Sequence, residues 1–116
     1  MDRITEAVKC QPTQSQAVLY AIIKLNEKRS SQKGWTDKRL LTGDVFEMYA
    51  EICQVNNIKP LTQRRVSDLI GELDMLGIIS TKVVSNGRYG RTRDISLALK
   101  DDLLTRMANF LRERFD

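Results

Sequence analysis

The sequence predicts a mainly α-helical domain with one small β-hairpin, an α+β arrangement of the winged helix-turn-helix type with an extra C-terminal helix. Three observations predict it. Apolar residues recur at helical spacing in four segments, a β-branched segment with a glycine-bearing return follows the third, and the order runs helix, short strand, helix, helix, hairpin, helix. At 116 residues, with 41% hydrophobic and 29% charged, the chain fits one domain around one modest core.

Met1 to Gln11 mixes charges with isolated Ile4, Ala7 and Val8 and reads as a helical turn or the tail of a preceding segment, so residues 1–12 are set apart from a domain over 13–116. Pro12 and Thr13 start a helix in which Val18, Ala21, Ile22 and Leu25 fall at i, i+3, i+4 and i+7, widened by Leu19 and Ile23. Asn26 to Arg39 breaks that period and is punctuated by Gly34, which predicts a helix end and an exposed loop. Trp35 within it reads as a lid over the core edge in preference to a base-stacking platform. Leu40 and Leu41 predict a short strand that pairs with the later hairpin. Thr42 is placed to cap a second helix, with Asp44 and Glu47 near its positive end, Val45, Met48, Tyr49 and Ile52 on its apolar face and Cys53 beside them.

Behind Pro60 and Leu61, Thr62 caps a third helix whose stripe is Val66, Leu69, Ile70, Leu73 and Leu76. Gly77 ends it, because glycine adopts the left-handed C′ conformation without steric cost. Ile78, Ile79, Val83 and Val84, flanked by Ser80, Thr81 and Ser85, predict a strand; Asn86-Gly87 and Gly90 supply the turn, and Thr92 to Leu97 returns with Ile95 and Leu97 on one side. Asp101 and Asp102 open a last helix in which Leu103, Leu104, Met107, Leu111 and Phe115 suit burial, with Phe110 at the margin.

Composition removes several functions. With no histidine and with Cys10 and Cys53 at no metal-ligand spacing, the usual zinc, imidazole-base and Ser-His arrangements are unavailable. There is no Gly-Lys-Ser/Thr phosphate loop and no GxGxxG, and no carboxylate pair or nucleophile-base combination stands out, so a binding module is expected before an enzyme. No apolar run approaches the roughly 20 residues that span a bilayer, and the N-terminus lacks the apolar stretch of a secretory signal. A cytosolic protein with reduced thiols and no membrane partner is expected.

Charge then points to a partner. Seven of the 19 basic residues and three of the 15 acidic ones lie between Lys59 and Arg93, so this window carries the whole formal net charge of +4. A basic excess gathered on one helix and one hairpin is the footprint of a phosphate-backbone binder. In a winged helix the third helix enters the major groove by its N-terminal part, which singles out Gln63, Arg64, Ser67, Asp68 and Gly71 off the apolar stripe. Arg64 and Arg65 sit at the positive end of the helix, a placement that costs up to about 1 kcal/mol and that phosphate or guanine would offset. Pairing with Asp68, at i+4 and i+3, is the alternative. Mid-helix Gly71 costs about 1 kcal/mol relative to alanine and implies close approach by another helix or by DNA. In the turn sequence SNGRYGRTR, three arginines and Tyr89 are spaced by glycines, so a narrow loop presents guanidinium groups suited to a minor groove.

PLTQRRVSDLIGELDMLGII, followed by VVSNGRYGRTRDISL and preceded by TGDVFEMYAEIC, resembles the C-terminal winged-helix domain of the archaeal origin-recognition initiators, relatives of the eukaryotic origin recognition complex and its helicase-loading partner. The likeness covers Thr13 to Leu97. It implies a module that binds duplex DNA at replication-origin repeats, by Thr62, Gln63, Arg64, Arg65 and Ser67 in the recognition helix and by Arg88, Tyr89, Gly90, Arg91 and Arg93 in the wing. It also implies a replicative helicase as a partner and an AAA+ domain ahead of this module. ATP or ADP belongs to that domain, whose phosphate loop is absent here, so no cofactor is expected in this chain and Asp2 to Cys10 reads as a remnant of the junction. Two alternatives stand beside this reading: a winged helix that docks an acidic protein partner, and a free-standing transcription regulator that dimerises, for instance through its last helix.

Overall fold

Thr13–Ser31 forms the helix that the other helices surround. The structure, a computed structural model, describes residues 3–31, 40–85 and 91–116, the side chains of 29–31, 85 and 91 excepted. In order, the elements are α1 (Arg3–Lys9), α2 (Thr13–Ser31), α3 (Thr42–Val55), α4 (Gln63–Met75), β1 (Ile79–Ser85), β2 (Arg91–Leu97) and α5 (Asp101–Phe115). Every residue from Ser15 to Ile23 is buried, a wider surface than the one stripe the sequence spacing marks, because α3, α4 and α5 each pack against α2. A helix apolar on most sides is a core helix.

Three boundaries differ from the sequence reading. α2 continues to Ser31 instead of ending near Asn26, since nothing before Gly34 breaks a helix and its outer face can stay solvated; Arg112 of α5 pairs with Glu27 at 3.3 Å. Thr42 is the first residue of α3 and is buried, and Leu41 takes the cap position, its N–H donating to Asp44 Oδ2 at 3.1 Å. Leu76 is 42% exposed and falls off the buried stripe of α4, which consists of Val66, Leu69, Ile70 and Leu73. The residues before Pro12 form α1, which buries Val8 in the core and packs on α5; Gln16 Nε2 donates to the Val8 carbonyl at 2.9 Å. Trp35 and Gly34 lie outside the described residues.

Both helices that precede a sharp change of direction end in the same hydrogen-bond pattern. After α3, Asn57 N–H bonds Gln54 O and Ile58 N–H bonds Cys53 O at 2.8 Å, with Asn57 at φ +56°. After α4, Gly77 N–H bonds Asp74 O and Ile78 N–H bonds Leu73 O, with Gly77 at φ +80°. Each is a Schellman termination that satisfies orphan carbonyls through a left-handed residue, filled by asparagine once and by glycine once. The first turns the chain into the helix-turn-helix, the second into the hairpin.

β1 and β2 pair antiparallel from Ile79 opposite Leu97 to Ser85 opposite Arg91. Leu41 adds a single bridge to Asp94, and Ile95 N–H donates to Leu40 O at 2.8 Å, so the predicted short strand is one residue of a third strand. Ile79 and Ile95 point into the core, while Val83 is 60% exposed farther out on the hairpin. α5 closes the far side with Met107, Ala108, Leu111 and Phe115 buried. Phe115 stacks on Tyr20 at 5.9 Å between centroids, the Tyr20 hydroxyl bonds the Asp116 carboxylate, and Asn56 Nδ2 donates to Phe115 O at 2.9 Å.

The turn between α3 and α4 is pinned from inside. The fully buried Tyr49 hydroxyl accepts Leu61 N–H at 2.8 Å and donates to Gln14 Oε1 at 2.5 Å, and Gln14 Nε2 donates to Lys59 O at 3.0 Å. Burial pushes this phenol up to about 12, and it pushes Tyr20 up to about 12 as well, helped there by Asp116. Replacing Tyr49 by Phe keeps the ring and strands a backbone N–H and an amide oxygen, which should cost about 1–3 kcal/mol in urea unfolding. The pH dependence follows from the same two groups. In the unfolded chain both phenols ionise near the ordinary tyrosine value of about 10, in the folded one not until about 12. Their contribution is therefore complete below about pH 10 and lost as pH rises toward about 12, and Tyr49→Phe should flatten that part of the stability curve.

Candidate nucleic-acid interface

α4 and the hairpin enclose one open cleft. It measures about 360 Å³ and is lined by Thr42, Gln63, Arg64, Ser67, Asp68, Val83, Thr92 and Arg93. The apolar stripe of α4 faces α2 and α3, so Gln63, Arg64 and Ser67 point away from the core by helical geometry. The first turn of α4 contains no carboxylate, which leaves the positive end of its dipole uncompensated from within the helix.

The predicted residues of the helix divide into different jobs. Thr62 is the N-cap; its Oγ1 accepts Arg65 N–H at 3.3 Å. Gln63 and Arg64 are exposed at the cleft, and among the described residues Arg64 has no ion-pair partner. Arg65 is exposed too, but its guanidinium lies 3.6 Å from Asp68 Oδ2, the i,i+3 pairing that the spacing allows. An exposed pair of this kind contributes at most about 1 kcal/mol and opens readily for a phosphate. Ser67 is half-buried, with its carbonyl already engaged.

In the wing, Arg93 takes an inward course. Its Nη1 donates to Ser67 O at 3.2 Å, and the guanidinium lies against Gly71, where an added Cβ would sit 3.0 Å from Nη1. The close approach that Gly71 implies is thus made by an arginine of the hairpin. The spacing of Ser67, Gly71 and Asp74 at i, i+4 and i+7 was the available signal, since it marks a small polar stripe beside the apolar one. Asp74 is the member that sequence reasoning missed: Thr81 Oγ1 donates to its Oδ2 at 2.8 Å, tying β1 to α4. Lys82 is exposed on β1, opposite Asp94. Arg88, Tyr89 and Gly90 lie outside the described residues, as does the turn at Asn86-Gly87, and Arg91 enters by its backbone alone, opposite Ser85 at the start of β2.

Other chemistries have little footing. Among the described residues no three carboxylates or thiols come together as metal ligands. Cys10 and Cys53 are free thiols, and burial pushes the Cys53 thiol up, away from the reactive thiolate. No described helix is long and apolar enough to cross a membrane. α5 packs its buried residues against α1 and α2.

A helix-turn-helix of α3 and α4, with α4 sharing a cleft with a two-stranded hairpin, defines the winged-helix fold. The chain belongs to the family described as CDC6, C terminal winged helix domain, which matches residues 6–107. It is 52% identical over 96 residues to the ORC1-type DNA replication protein of Pyrococcus furiosus, a match covering 83% of this chain and 21% of that protein. Over 99 residues it is 48% identical to ORC1-type DNA replication protein 1 of Methanosarcina mazei, covering 85% of this chain and 23% of the relative. The chain therefore spans about a fifth of the length of these relatives. Among solved structures, the Aeropyrum pernix ORC1 protein in complex with DNA superposes with a TM-score of 0.79 at 34% identity, over 98% of this chain and 27% of that one.

The two jobs at the start of α4 separate by stability. Thr62→Ala should cost about 1 kcal/mol through loss of the cap, whereas Asp68→Asn should change the urea midpoint by the equivalent of less than about 1 kcal/mol because the pair with Arg65 is solvated.

Proposed function

We propose that this chain is the duplex-binding module of a replication initiator, set on replication-origin repeats with α4 in the major groove and the wing in the minor groove. The observation that carries the reading is the shared cleft: the exposed N-terminal residues of α4 and the root of the hairpin open onto one surface, and both belong to the stretch Lys59 to Arg93 whose formal net charge is +4. The A. pernix relative, described in complex with DNA, supports the same partner.

In this reading Arg64 donates to guanine O6 and N7, Gln63 offers the donor and acceptor that suit adenine, and Ser67 adds a hydroxyl contact. Arg65 leaves Asp68 for a phosphate. Arg88 and Arg91 follow the minor groove, where the negative potential is strongest, with Tyr89 against the sugar-phosphate edge and Gly90 keeping the loop narrow. Base contacts select the site and phosphate contacts supply most of the affinity. ATP binding and helicase recruitment belong, on this view, to the rest of an initiator acting in the cytoplasm on the nucleoid, and this module contributes placement without catalysis.

Duplex affinity measured over a salt series tests the reading. Log affinity should fall with log salt by about 0.9 per phosphate contact, and a protein that shows no duplex binding at low salt would instead fit an acidic protein partner. Arg91→Ala should weaken most sequences and lower the salt slope by about one, while Arg64→Ala should cost about 1–3 kcal/mol on the preferred sequence. Equal losses for Arg64→Ala on preferred and random duplexes would remove its reading role.

A further inference from the structure

We propose that Arg93 is a positioning residue, a strut that holds the wing at a set distance from α4, and that residue 71 is glycine in order to seat it. The functional consequence rests on the duplex-binding reading; the geometry does not.

α4 presents Ser67, Gly71 and Asp74 along one line toward the hairpin, and each end of that line is tied to a different strand. At one end, Arg93 of β2 donates to the Ser67 carbonyl at 3.2 Å; at the other, Thr81 of β1 donates to Asp74 at 2.8 Å. Between them a Cβ on residue 71 would meet Arg93 Nη1 at 3.0 Å, Nη2 at 3.5 Å and Cζ at 3.7 Å, so the flat guanidinium lies across the bare Cα of Gly71. A glycine in mid-helix is unfavourable by itself, and this contact gives the reason for it. Arg93 is half-buried, and among the described residues no carboxylate lies within ion-pair distance of it, so what holds it is a backbone carbonyl and a shape.

The consequence concerns how two contacts act as one. α4 and the wing can grip the same duplex together only if their separation matches the groove spacing, and a rigid link turns the second contact into an intramolecular event. A planar, multiply donating group suits this role and an ammonium does not. Arg93 then acts on affinity through geometry, in contrast to an arginine that releases counterions from phosphate.

The test uses Arg93→Ala, Arg93→Lys, Gly71→Leu and the double variant Gly71→Leu/Arg93→Ala. Each is read by duplex affinity over a salt series and by residual dipolar couplings of backbone amides in α4, β1 and β2 of the DNA-free protein. A strut predicts that Arg93→Lys loses about as much affinity as Arg93→Ala, about tenfold or more, with the salt slope unchanged. Gly71→Leu, which alters no charge, should reproduce the loss, and the double variant should lose no more than either single one. In the free protein the hairpin should reorient relative to α4 in every variant. A slope that falls by about one in Arg93→Ala, full affinity in Arg93→Lys, or additive losses in the double variant would overturn the strut. Unchanged couplings would overturn it without any DNA. If the unaltered protein fails to bind duplex, the proposed function falls while the couplings still decide the geometry.

Discussion

A single buried hydroxyl holds the chain where α4 begins. Tyr49 stands at the centre of the core and holds the backbone of Leu61, one residue before the cap of α4, while Gln14 carries the same network from α2 to the Lys59 carbonyl. Ile58 and Leu61 of the turn between α3 and α4 pack against the core, and these directional bonds, strengthened by their removal from water, join that packing in placing the start of α4. Everything downstream inherits that start. The apolar stripe of α4 fixes its rotation about its axis, Gly77 fixes where it stops, and the hairpin is then laid along its flank.

Among the described residues, the arginines of the central window take three different courses. Arg64 is exposed and open, Arg65 is lightly held by Asp68, and Arg93 is folded back onto Ser67 and Gly71. One residue type thus gives an open guanidinium, a solvated surface pair and an inward tie, according to what each guanidinium can reach. Long, planar donors make this possible, since their reach exceeds the spacing between the strands and the helix and their charge survives partial burial. The counterpart is the C-terminal helix, two of whose arginines reach α2: Arg112 to Glu27 and Arg114 to Thr13 fasten α5 across it.

Much of the fold was legible. The stripes of α3, α4 and α5, the Thr62 cap, the Gly77 stop and the hairpin with Ile95 inward follow from period and from turn chemistry, which are properties of a few neighbouring residues. What misled was local as well. Thr42 has the composition of a cap and lies one residue too far along, because the Asp44 carboxylate, from inside the first turn, bonds the N–H of Leu41 and lets an apolar residue take the cap position. Leu76 keeps the helical spacing and loses its burial because it is the C-cap residue, where the chain turns away at Gly77. The polar stretch after Leu25 read as a loop, yet a helix needs no apolar face once its earlier turns are anchored in the core.

The sequence by itself determined the order of elements, the location of the positive charge, the absence of histidine-based chemistry and the likeness to the initiator family, since each is carried by residue identity and spacing along the chain. The tertiary structure alone decided which of the arginines faces outward. Arg93 and Gly71 are 22 positions apart, and nothing in the run of residues between them says that a hairpin will fold back across the helix. That contact depends on the direction in which Gly77 releases the chain and on the register of β2 against β1, with the hairpin packed on α4 and α3. Local chemistry named the candidates; three-dimensional closure showed that Arg93, which lines the cleft with Arg64, is tied back onto α4 while Arg64 stays open.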